Sequence, residues 1–208
     1  MFSIPIFPLP NVVLFPNVFL PLHIFEPRYR QMVADALQGD RIIGMVLLRP
    51  GHDAEHKERP PIYPLGCSGL ITHVERLEDG HYNLILRGLE KFTVESEEPP
   101  DARLYRTAVI SQLDDGLKAG ERDELRQLRG TLLKLLTPMI TGAIQARLPD
   151  AMPDEDLVNA LAQYLAFDPP EKLALLQQQG PLSRCRAMVE LLEMKTMQQS
   201  GTDRGTLH

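Results

Sequence analysis

Residues 4–25 read IPIFPLPNVVLFPNVFLPLHIF, and whether this stretch is a membrane helix or a pair of strands decides the fold. Its length is close to the ~20 apolar residues that span a bilayer. Pro5, Pro8, Pro10, Pro16 and Pro21 would each break a spanning helix. No Lys or Arg precedes the run, so it lacks the basic start of a signal peptide. Asn11 and Asn17 stand beside or one residue from a proline and read as turn positions. The stretch is therefore read as two short strands, around FSIPIF and VFLPLHIF, joined by a proline-rich connection. A soluble, cytoplasmic protein with no membrane partner is expected.

Working outward, Glu26-Pro27 opens a helix, because proline at the first helical position loses no hydrogen bond. Tyr29, Met32, Val33 and Ala36 or Leu37 then fall on one face. Residues 41–48, RIIGMVLL, form an apolar run of strand length. Residues 50–61 carry glycine, prolines, charges and two histidines and read as an exposed loop. Two long β segments follow, IYPLGCSGLITHVERL and HYNLILRGLEKFTVESEE, and Asp79-Gly80 between them signals a tight hairpin in which both residues tolerate positive φ. LYRTAVISQL adds a strand. About six strands and one helix suggest a closed or nearly closed barrel, which removes exposed edges.

Past Asp114-Asp115-Gly116 the periodicity changes. Leu125, Leu128, Leu132 and Leu135 or Leu136 share a helical face, and Thr137-Pro138 kinks that helix or starts another. Pro153 with Asp154, Glu155 and Asp156 makes an acidic helix start. Asp168 caps a helix whose first turn holds Pro169 and Pro170, and a last helix runs from about Leu182 toward Gln198. The expected domains are a barrel over residues 1–115, a helical domain over 116–200 and a flexible tail over 201–208.

The whole chain of 208 residues carries 22 Lys plus Arg against 28 Asp plus Glu, a formal net charge of −6. Divided after Leu113, each half has 11 basic and 14 acidic residues. Neither half hides a basic domain, which disfavours a binder of phosphate backbones. Cys67 and Cys185 are far apart and read as two reduced, partly buried thiols.

The residues Ile6-Phe7-Pro8-Leu9, Val13-Leu14-Phe15-Pro16, Leu20-Pro21-Leu22 and His23 to Tyr29 form a recognisable series, continued by Leu65-Gly66-Cys67 and Leu86 to Phe92. Asp168-Pro169-Pro170-Glu171-Lys172-Leu173 and Arg186 to Leu192 extend it into the helical half. The pattern resembles the N-terminal substrate-recognition region of the ATP-dependent Lon proteases, in a stand-alone form. That resemblance implies an α+β chain, a PUA-like, mainly antiparallel β-barrel followed by an α-helical bundle. It also implies the binding of polypeptides rather than their cleavage. The role expected here is an adaptor for unfolded or extended polypeptides that works with a separate protease or chaperone. No G-x-x-x-x-G-K-[ST] phosphate loop and no segment like the Ser-Lys protease domain occurs, so proteolysis does not carry over.

Direct chemical readings are weak. Gly66-Cys67-Ser68-Gly69 lacks the final glycine of a nucleophile elbow, since position 70 is Leu70, and Ser68 lies inside a β run. A small hydrolase using Ser68 or Cys67 and an RNA binder on the same barrel are the alternatives. His52, His56, His73 and His81 have no close ligand pair for zinc and read as solvated. Glu95, Glu97 and Glu98 read as a solvated strand end, and Glu26 with Arg28 as capping and surface pairing. No cofactor, metal or catalytic residue is expected. Of the aromatics near the start, most must be core. Phe15, Phe19, Phe25 and Tyr29 are the candidates for lining a peptide-contact groove, because proline-rich connections hold apolar side chains outward without backbone pairing.

Overall fold

The computed structural model of the chain describes residues 1–51, 59–100, 102–136 and 152–203, the last five without their side chains. The readings made for His52, His56 and Thr137-Pro138, and for most of the tail, lie outside the described residues. The strands are β1 (Phe2–Leu9), β2 (Phe19–Ile24), β3 (Ile42–Leu48), β4 (Ile62–Arg76), β5 (Tyr82–Glu97) and β6 (Arg106–Gln112). The helices are α1 (Pro27–Gln38), α2 (Arg122–Leu136), α3 (Asp154–Tyr164), α4 (Pro169–Gln177) and α5 (Pro181–Asp203). The last helix thus continues three residues into the segment expected to be tail.

The strands form one sheet in the order β2-β5-β4-β3-β1-β6, and a further β5–β6 pairing closes five of them into a ring. The ring is mainly antiparallel, with β1 and β3 parallel. The long strand β5 makes closure possible by serving two neighbours on one edge. Its residues 82–87 pair with β2, and its residues 92–97 pair with β6.

Prolines inside β1 have a similar explanation. Residues 2–6 of β1 pair with β6 and residues 6–9 pair with β3. Pro5 and Pro8 sit on either side of this change of neighbour, where β1 is paired on one flank only, the kind of position at which a sheet tolerates proline. The β4–β5 hairpin forms as expected, but by a wider turn. The Leu77 N–H donates to His81 O and the Gly80 N–H to Leu77 O, and only Gly80, not Asp79, has positive φ. A glycine in the left-handed position of such a three-residue loop is a common hairpin solution.

Two hydrophobic clusters lie on opposite faces of the sheet. Inside the ring are Ile4, Ile6, Val46, Phe92, Ala108 and Ile110. On the other face a continuous cluster runs from the sheet through α1 and the 10–18 connection into helices α2 to α5, from Phe7, Phe15 and Met45 to Leu125, Leu161, Leu176 and Met188. The face expected for α1 is the buried one: Tyr29, Met32, Val33 and Ala36. Both cysteines are free and fully buried.

The joint between ring and helices is polar as well as apolar. Arg184 of α5, fully buried, donates to both oxygens of Asp115 at 2.8 and 2.9 Å, to Leu175 O at 3.0 Å, and to Asn159 Oδ1. Lys91 of β5 meets the same Asp115 carboxylate at 2.7 Å and Gln178 O at 2.6 Å. Burial, partly offset by Asp115, pulls the Lys91 pKa down. The Phe15 N–H donates to Gln163 Oε1 at 3.0 Å, and Asn159 Nδ2 donates to Pro16 O at 3.0 Å. These bonds tie the 10–18 connection to α3.

Candidate functional site: an open sheet face and the ring mouth

Strand β2 ends the sheet and, among the described residues, pairs only with β5. Its side chains alternate. Leu20, Leu22 and Ile24 pack toward the shared core, while Phe19, Pro21 and His23 are exposed. Register places Phe19 opposite Arg87, Pro21 opposite Ile85 and His23 opposite Asn83. Arg87 in turn faces Leu70, which faces Ile42. Cross-strand partners share a face, so Phe19, Arg87, Leu70 and Ile42 form one row across four strands. Ile42 also packs against the cluster inside the ring. The row is therefore the ring's inner surface continued into solvent, where the sheet opens beyond its mouth.

At the mouth lies a cavity of about 310 Å³, with Phe2, Ile42 and Leu89 as apolar walls and Ser68, Asn17, Glu90 and Gln112 as polar ones. A second cavity of about 480 Å³ shares Asn17, Leu89, Glu90 and Gln112 and runs between the ring and α3. Clefts at barrel mouths and between packed units are where ligands usually bind. At the other end of β2, the Phe25 ring stacks on His23 with centroids 6.2 Å apart and meets His81 edge-on at 6.4 Å.

The four aromatics expected to line a groove divide evenly. Phe19 and Phe25 are 51% and 56% exposed. Phe15 and Tyr29 are core, at 0% and 5%. Phe15 is drawn inward because its amide is bonded to Gln163 and the Arg184 guanidinium lies over its ring at 5.6 Å. Tyr29 packs on Phe7 with ring centroids 4.3 Å apart, and its hydroxyl donates to Pro8 O. Both side chains are packed away from solvent.

The other sequence candidates are engaged structurally. The Ser68 hydroxyl donates to Glu90 O at 3.1 Å and accepts the Glu90 N–H at 3.3 Å, at a β-bulge between Cys67 and Gly69. Burial pushes the Cys67 thiol far above its ordinary pKa, away from the thiolate a nucleophile needs. His23 bonds Asn83 at 2.8 Å and His81 pairs with Asp79 at 3.0 Å. No group of His, Cys, Asp or Glu among the described residues is arranged to hold a metal ion. Glu26 pairs with Arg28 at 2.8 Å but makes no side-chain cap. Glu97 and Glu98 are not merely solvated: they pair with Arg106 and with Thr107 and Arg103. Sequence reasoning missed Leu70, Ile85, Ile42 and Glu90, which become a site only through strand register.

The fold and this site can be set against known proteins. The model of the ATP-dependent protease La (LON) substrate-binding domain matches residues 3–194. The chain belongs to the Lon substrate-binding domain family. It is 29% identical to the Lon protease of Flavobacterium johnsoniae over 86% of its own length and 22% of that protein. It is 30% identical to Lon protease 2 of Sorangium cellulosum over 73% of its length and 20% of that protein. The chain thus spans between a fifth and a quarter of these relatives. A Lon N-terminal domain protein from Xanthomonas campestris has the same fold, with a TM-score of 0.64 at 24% identity, 91% of this chain and 98% of that one being covered. So does the N-terminal domain of a Mycobacterium avium complex Lon protease, with a TM-score of 0.65 at 16% identity, covering 92% and 98%.

Proposed function

We propose that this Lon substrate-binding domain recognises extended or unfolded polypeptides without catalysing a reaction on them, and delivers them to a separate protease or chaperone in the cytoplasm. The observation that carries the reading is the exposed row led by Phe19 on the free-edge strand β2, continuous with the cavity at the ring mouth. Exposed apolar surface leading into a formed pocket marks interaction sites. The extended shape of the row suits an extended chain, whose side chains alternate as those of a strand do. Family membership supports the same role.

Neither alternative is favoured. A hydrolase at Ser68 or Cys67 would need an activated nucleophile, and Ser68 is bonded to backbone while Cys67 is buried. An RNA-binding role would need a cluster of cations, whereas the row carries the single Arg87 and the cleft beside the mouth is lined by carboxylates. No helix among the described residues is long and apolar enough to cross a membrane.

The test is capture of a chemically unfolded, carboxamidomethylated protein on immobilised wild-type domain and on Phe19→Asp and Phe25→Asp variants. Both positions are exposed, so the variants should keep wild-type circular dichroism. Retention by wild type and severalfold less retention by Phe19→Asp is expected. Equal retention by all three, or none by wild type, contradicts the proposal.

A further inference from the structure

The apolar pocket at the ring mouth opens directly into a cleft of opposite character. Phe2, Ile42 and Leu89 supply the pocket's apolar walls, and Phe2 is 40% exposed. The adjoining 480 Å³ cleft is lined by Glu90 of β5, Asp114 and Asp115 of the connection, and Glu155 and Asp156 of α3, with no Lys or Arg in its lining. Some of these carboxylates are already engaged. Asp115 is held by Lys91 and Arg184, Asp156 accepts from Asn17 Nδ2 at 2.9 Å, and Asp114 accepts the Gly116 N–H at 3.0 Å. The side-chain carboxylates of Glu90 and Glu155 have no hydrogen bond or ion pair among the described residues, and they come from the ring and from the helical half respectively. The nearby cation on the sheet row, Arg87, is turned to Asn17 Oδ1 at 3.1 Å.

Carboxylates converging on one cavity repel each other, and a cation placed between them relieves that repulsion. A polypeptide lying along the row from Phe19 would set one apolar side chain in the mouth pocket. A neighbouring side chain of the same segment would then reach the cleft. We infer that the groove selects polypeptide segments in which an apolar residue is closely followed by Lys or Arg, the apolar side chain entering the pocket walled by Phe2, Ile42 and Leu89 and the cation pairing with Glu90 and Glu155. This deepens, and rests on, the polypeptide-recognition reading above. Acidic segments are rejected by the same charges, which makes the cleft a filter rather than a general apolar surface.

The experiment measures fluorescence anisotropy of short labelled peptides of alternating Leu and Ser that carry Lys, Gln or Glu at one fixed pair of positions. Wild-type domain is compared with the Glu90→Gln/Glu155→Gln variant at low and physiological salt. The Lys peptide should bind about fivefold tighter than the Gln peptide, the gain expected of two partly exposed ion pairs, and the advantage should shrink with salt. The double variant should lose the difference between the Lys and Gln peptides. Equal binding of Lys and Gln peptides to wild type overturns the charge selection and leaves polypeptide recognition standing. A preference for Lys that persists in the double variant overturns the placement in this cleft. Failure of every peptide to bind overturns both readings.

Discussion

At the scale of single residues, Tyr29 shows how burial changes chemistry. Burial is the main cause that raises its pKa to about 12, with the neighbouring Arg28 acting in the opposite direction. An unfolded tyrosine ionises near pH ~10. Between about 10 and about 12 the unfolded chain has therefore lost a proton that the folded chain keeps. Its stabilising contribution is complete below pH ~10 and declines as pH rises through that window, by up to ~3 kcal/mol. Tyr29→Phe should be the less stable protein at neutral pH, having lost the bond to Pro8 O, and the gap to wild type should close or reverse above pH ~10. Urea titrations at a series of pH values check this, and a gap that stays constant to high pH speaks against the buried phenol. The helical spacing of Tyr29 with Met32, Val33 and Ala36 made its burial legible in the sequence, whereas that of Phe15 was not. Phe15 and Phe19 stand four apart on either side of Pro16-Asn17, and their sequence neighbourhoods do not tell which of the two is core. Phe15 is core because its amide is claimed by Gln163, 148 residues away. Phe19 is exposed because it falls on the outward phase of β2.

At the scale of elements, the strands, α1 and the helix starts were readable because each rests on local pattern: apolar runs of strand length, a proline at the head of a helix, acidic first turns. Elements whose meaning depends on distant partners were not. Asp114 to Gly120 reads as a boundary, yet Asp115 is the shared anion of Lys91 and Arg184 and joins the two halves. Two buried cations on one carboxylate leave an excess positive charge, so the members of the trio are not equivalent. Asp115→Asn strands both cations and should cost about 3–5 kcal/mol, the range for breaking a buried pair. Lys91→Met leaves the Arg184–Asp115 pair intact and removes the excess charge, so its cost should be smaller by at least ~2 kcal/mol. Denaturant melts of both variants decide the matter; equal losses would show that Asp115 is not the hub.

At the scale of the whole molecule, closure of the sheet was anticipated from the number of strands and from the family resemblance, whereas the single core linking ring and helices was not. Leucines at helical spacing show that α2 and α3 bury a face, but not that this face joins the ring's core through the 10–18 connection. We propose that residues 1–115 and 116–200 are separate domains by topology that unfold as one cooperative unit, because the shared cluster and the Asp115 joint cross the boundary. Coincident thermal transitions by far-ultraviolet circular dichroism and by near-ultraviolet tyrosine signal are expected, and two separated transitions would contradict it. The opened sheet face lies where the ring gives way to the edge strand, so the proposed recognition rests on the way β5 divides its edge between β2 and β6. Amide hydrogen exchange with and without the Lys-bearing Leu/Ser peptide tests that claim most directly. Edge-strand amides without a partner exchange readily and slow when a ligand covers them. Added protection is expected over residues 17–24, 68–70 and 85–90, with α4 unchanged. Protection confined to the helices, or none at a saturating peptide concentration, would contradict it.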